Sequence, residues 1–174
     1  ALGAFSTGMG STDISFGLIT GGNWFKVPEA IKVVFSGKPA ELIYGKDLIL
    51  EVIRQIGVDG ALYKTLEFTG DTLQYLGMDD RFSLCNMAIE AGAKNGIIAV
   101  DDITRDFLKD KKLARQPKEF YSDADATYVQ TIEIDVTKLE PVIAYPHLPS
   151  NGKPLSQAVR DEIAVDQVFI GSCT

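Results

Sequence analysis

Ile31-Lys32-Val33-Val34-Phe35, then Gly37-Lys38-Pro39, then the helical pattern of residues 46–56: this run decides the fold. The first five residues are rich in β-branched and aromatic side chains and form a short strand, which the Gly-Lys-Pro turn closes. After it, Leu48, Ile49, Val52, Ile53 and Ile56 recur at helical spacing, and Gly57 supplies a C-cap. A strand followed by an amphipathic helix is the building unit of a layered α/β sheet.

The unit repeats downstream. Residues 62–68 read as a strand, 70–77 as a turn-rich connection, and Met78-Asp79-Asp80 opens a helix that ends near Gly92. Residues 96–100 form a buried-type strand, and Asp101-Asp102 caps a charged helix reaching about Lys112. The polar residues 111–125, which include Pro117, form an exposed loop. Residues 131–136 alternate strictly, the signature of a half-buried strand. The expected class is α/β, a layered sheet with flanking helices.

Outward from this body the composition changes. Residues 3–22 carry six glycines between apolar side chains. Ser11-Thr12-Asp13 predicts a helix start and Gly21-Gly22 its stop, with the helix glycines marking close packing and Trp24 packing it onto a neighbour. No lysine follows Gly8-Met9-Gly10, so a phosphate loop is rejected. At the other end Pro141, Pro146, Pro149 and Pro154 predict a stiff extended linker, and 165–170 a closing strand. The chain divides accordingly. Residues 1–27 form the tail of a preceding α/β domain and 28–140 the central domain. Residues 141–174 form a proline-rich linker and the first strand of a following domain.

Composition narrows the function classes. With 174 residues, 45% hydrophobic and 24% charged, the chain suits one domain plus pieces of a neighbour. A net charge of −7 argues against a nucleic-acid surface. No apolar run approaches the ~20 residues of a membrane span. Two widely separated cysteines make no disulfide framework, so a reducing cytoplasm is expected. The start, Ala-Leu-Gly-Ala, lacks an initiator Met and signal-peptide order and reads as the interior of a longer chain.

Few residues could carry chemistry. Asn86 and Glu90 stand at i and i+4, on one face of the helix predicted to end near Gly92. An exposed polar pair would show the same spacing. Cys173 follows the 165–170 strand and Gly171-Ser172, which would set its thiol at a strand's C-terminal end, where α/β sheets hold ligands. A lone cysteine proves no cluster, and a small buried side chain fits the spacing equally. Cys85 reads as packing and His147, between two prolines, as solvated loop. The aspartate pairs read as helix starts and caps.

Five segments, in order, resemble the aconitase family: 8–13 (GMGSTD), 24–29 (WFKVPE), 46–50 (KDLIL), 85–94 (CNMAIEAGAK) and 169–174 (FIGSCT). The resemblance implies an aconitase-type multidomain fold and a hydro-lyase acting on 2-hydroxy di- or tricarboxylates by dehydration and rehydration. It implies a [4Fe-4S] cluster held by three cysteines, Cys173 being the first and a C-x-x-C pair lying beyond Thr174. Glu90 would contact the hydroxyl or water on the open iron, and Asn86 would hydrogen-bond the same group. A small swivelling-domain subunit would complete the site as a heterodimer or heterotetramer. The chain alone is expected to hold no stable cluster and to be inactive. Homoaconitase-type or citrate-type substrates fit the same pattern. A non-catalytic binding module is the reading from another class, and the acidic composition counts against its RNA-binding form.

Overall fold

Strand β1 (Ala30–Ser36) stands inside a four-stranded sheet of order β3-β2-β1-β4. Its partners are β2 (Thr65–Thr69) on one side and β4 (Gln130–Asp135) on the other, with β3 (Asn95–Ile98) beyond β2. All pairings are parallel, with Val33 beside both Phe68 and Ile132. The computed structural model describes residues 2–113, 115 and 117–171. Cys173 lies outside them.

Alternation sets the core. Ile31, Val33 and Phe35 of β1 are buried, as are Leu66 and Phe68 of β2, and the two phenyl rings stack at 6.0 Å. Helices α2 (Gly45–Ile56) and α3 (Met78–Asn86) supply Leu48, Ile49, Val52, Ile53 and Leu84 to the same core. The α2 stripe is the predicted one, and Gly57 (φ 78°) ends it with its N–H on the Ile53 carbonyl at 2.7 Å. Asp101 caps α4 (Asp102–Leu108) by accepting from Thr104 N. The strands fall within one to three residues of their expected bounds.

The strand order reverses between β1 and β4, where open α/β sheets commonly bind ligands at the strands' carboxyl ends. Here that position is filled by the chain's own turns. Gly37 N donates to Asp71 Oδ1 at 2.9 Å, and the Thr72 hydroxyl donates to the Gly37 carbonyl at 2.8 Å. A Cβ on Gly37 would lie 2.5 Å from Thr137 Cγ2.

Five expectations need correction. The first helix, α1 (Ser11–Thr20), has the expected bounds but buries no residue, and nothing lies within 4 Å of a Cβ built on Gly17. Trp24 is 83% exposed, so it packs nothing among the described residues. The helix predicted to run to Gly92 stops at Asn86 and continues as a 3-10 turn, Met87–Ala91. The carbonyls of Ala91 and Gly92 are taken by Ala61 N and Tyr63 N, which draw this segment off the α-helical path.

The proline-rich stretch is only partly extended. It holds a two-stranded antiparallel hairpin of β5 (Val142–Ala144) and β6 (Gly152–Pro154), followed by helix α5 (Leu155–Arg160). Val142 N donates to Asp47 Oδ1 at 2.8 Å, tying the hairpin to the start of α2. Residues 165–170 form no strand, and Ile170 is 94% exposed.

Candidate functional site

The end of α3 borders a cleft of about 840 Å³. Phe82, Ser83, Cys85 and Asn86 line it from α3, Met87 and Ile89 from the 3-10 turn. Ser6, Thr7 and Gly8 approach from the N-terminal segment, Lys46 from α2, Lys94 and Asn95 from the entry to β3, and Gly171 from the C-terminal tail. The cleft therefore opens along α3 and the amino end of β3, not at the strands' carboxyl ends.

Local sequence explains how Asn86 comes to face it. Leu84 and Cys85 are buried in the core, so the next residue turns outward where α3 ends. Asn86 makes no capping hydrogen bond to the turn that follows, which leaves its amide available to the cleft. Glu90 is exposed, and it is not among the residues lining the cleft. The expected shared helical face is lost because four residues span 3-10 geometry, where each residue turns the chain by about 120° instead of 100°. Asn86 and Glu90 are thus not presented side by side.

Cys85 behaves as the packing residue the sequence predicts: burial pushes its thiol up, away from thiolate chemistry. His147 is exposed. Sequence reading missed Lys46, Lys94 and Asn95. Lys46 looks like an ordinary helix-start residue, and nothing local reveals that α2 begins beside α3. Asn95 is buried and accepts a 2.7 Å hydrogen bond from the Thr65 hydroxyl across the β2–β3 pair, while its Nδ2 has no partner among the described residues. A polar residue opening a short buried strand was the available signal.

Residues 1–174 match the Aconitase family (aconitate hydratase) along their whole length, and the chain belongs to that family. It is 76% identical over 180 residues to the 3-isopropylmalate dehydratase large subunit of Aliarcobacter butzleri. It is 72% identical over 174 residues to the protein of the same name from Nitratiruptor, and 72% over 174 to that from Campylobacter concisus. Each match takes in 100% of this chain but only 42%, 41% and 41% of those relatives, so the chain spans about two fifths of their length.

Family membership implies a [4Fe-4S] cluster, and the described residues do not by themselves fit one. Among them no group of three or more Cys, His, Asp or Glu side chains could hold a metal, and the one described cysteine is buried with its thiol pushed up. None of the helices among the described residues is long and apolar enough to cross a membrane.

Proposed function

We propose that this chain forms part of the active site of a cytoplasmic hydro-lyase that interconverts 3-isopropylmalate and 2-isopropylmalate by dehydration and rehydration, a reaction of leucine biosynthesis. The observation that carries the reading is that Asn86 and Gly171 line one cleft, and Gly171 stands two positions before Cys173. Residues from two sequence-distant family segments, Asn86 of 85–94 and Gly171 of 169–174, thus border the same cleft. The relatives' shared name supplies the substrate.

Within this reading Asn86 donates its side-chain N–H to the substrate hydroxyl, and Glu90 exchanges a proton with that hydroxyl or the water derived from it. Glu90 reaches the cleft only if the 3-10 turn rewinds or the rest of the subunit encloses it. Cys173 is one of three thiolates for a [4Fe-4S] cluster, the other two coming from outside these residues. When bound, the cluster supplies Lewis-acid polarisation. A small swivelling-domain subunit contributes the remaining groups around the substrate's carboxylates.

The test uses the full-length enzyme with its small subunit. Glu90→Gln and Asn86→Ala should leave iron content intact and lower turnover of 3-isopropylmalate, by roughly 10²–10⁴ for Glu90. Near-normal turnover in both variants at normal iron content would return these residues to an ordinary solvated surface.

A further inference from the structure

Arg81 is a cation held inside the protein, with 2% of its surface exposed. Its Nη1 and Nη2 donate to Asp101 Oδ1 and Oδ2 at 2.7 and 2.6 Å, a two-point grip on one carboxylate. Nη2 also donates to the Leu73 carbonyl at 2.8 Å, Nε to the Leu76 carbonyl at 3.3 Å, and Nη1 to the Thr104 hydroxyl at 3.3 Å. Asp101 is at the same time the N-cap of α4. One side chain thus joins α3 to the 3-10 turn Asp71–Tyr75 before it and to the start of α4.

The preceding residue holds the opposite flank. Asp80 Oδ1 accepts from Gly45 N at 2.9 Å, and a Cβ on Gly45 would lie 2.2 Å from the Asp80 carbonyl oxygen. The first turn of α3 is therefore clamped to α2 on one side and to α4 on the other, through successive residues. Burying an ion pair adds little net stability, because desolvation offsets the attraction. What a two-point guanidinium–carboxylate contact fixes is direction. Asn86 is five residues along the same helix, a rise of about 7.5 Å, with Leu84 and Cys85 wedged in the core between. A rotation of α3 at Arg81 is carried directly to Asn86.

We infer that Arg81 is a positioning residue, setting through α3 where the Asn86 amide stands in the cleft. The inference rests on the role proposed for Asn86. Lysine at 81 keeps the charge but cannot make the two-point contact, and Asp101→Asn keeps a cap acceptor while removing the charge. Either change in the full-length enzyme should lower kcat about 10- to 10²-fold, as expected for an ångström-scale misplacement, with iron content unchanged and KM for 3-isopropylmalate within about twofold.

The decisive readout is a double-variant cycle, which a purely structural role would not move. Once Asn86 is alanine, Arg81→Lys should cost no further turnover. Asp101→Asn takes the place of Arg81→Lys if the lysine variant does not accumulate as folded protein. Equal losses in the presence and absence of Asn86 would overturn the positioning role alone. Wild-type turnover in Arg81→Lys would overturn it too. Normal turnover in Asn86→Ala would overturn both this inference and the role proposed for Asn86.

Discussion

Gly96 in β3 and Cys85 in α3 meet backbone to backbone. A Cβ at position 96 would lie 2.8 Å from the Cys85 Cα and 2.8 Å from Cε2 of Phe68. Neither neighbour is the free end of a flexible side chain, so the space cannot be recovered cheaply. This contact presses the last turn of α3 onto the sheet's edge strand, one residue before Asn86. Replacing Gly96 by alanine should destabilise the fold by about 1–3 kcal/mol, the usual cost of overpacking, with valine worse. Urea unfolding of the three proteins measures it.

The core makes the complementary prediction. Phe35 and Phe68 are fully buried and stacked, and Phe35 also stands beside Ile134 of β4. Phe35→Ala should cost about 3–5 kcal/mol, the range for emptying a buried aromatic site. Trp24→Ala should cost little, since the indole is exposed. Thermal melts of the two variants separate the core from the N-terminal segment.

Much of this arrangement is legible in the sequence. Strand and helix periodicities locate β1, α2 and β4 because their burial is local and regular: alternation on a sheet face, a stripe on a helix. The break at Asn86 is not legible. Met87–Ala91 contains no glycine or proline, and its departure from α-helix comes from hydrogen bonds to a turn about thirty residues earlier. The hairpin at 142–154 is hidden for a similar reason, since its anchor, Asp47, lies 95 positions away. Apolar residues at 165–170 suggested a strand, but a strand needs a partner, and none is provided among the described residues. Arg81 resembles any helical arginine until its carboxylate partner, twenty positions on, is known.

Stability should fall on the acid side in a way that depends on Asp101. The Arg81 guanidinium holds this carboxyl below its ordinary range, against a partial opposing effect of burial. A depressed carboxyl contributes stability that is fully present above its unfolded pKa of about 3.9 and is lost as pH falls through the lower folded value. Glu119, pushed down to about 2 chiefly by Arg105, and Asp135, pushed down to about 2 by Thr137 and Lys138, titrate in the same direction on the surface. Asp101→Asn should therefore flatten the loss of stability below about pH 4 while leaving its slope near neutrality unchanged. Denaturant midpoints taken across pH 2–7 test this.

Helix α1 should be far less protected than the core strands of the isolated chain. It is ten residues long and buries none of them, and a helix that short is marginal in water without packing. Its amides should exchange with solvent far faster than those of β1, whose alternate residues are sealed in the core. Amide hydrogen exchange on residues 1–174 reads both elements in one experiment. Equal protection would mean that α1 has a packing partner.

The most direct test of the central claim is the iron content of the full-length enzyme carrying Cys173→Ser. A serine hydroxyl stays protonated near neutral pH and replaces a thiolate ligand poorly. Iron and inorganic sulfide per subunit, with the visible absorption of the cluster, should collapse while circular dichroism stays native. A Cys173→Ser enzyme that keeps full iron, sulfide and turnover would contradict the account, because Cys173 would then have no part in the site that Asn86 and Gly171 border.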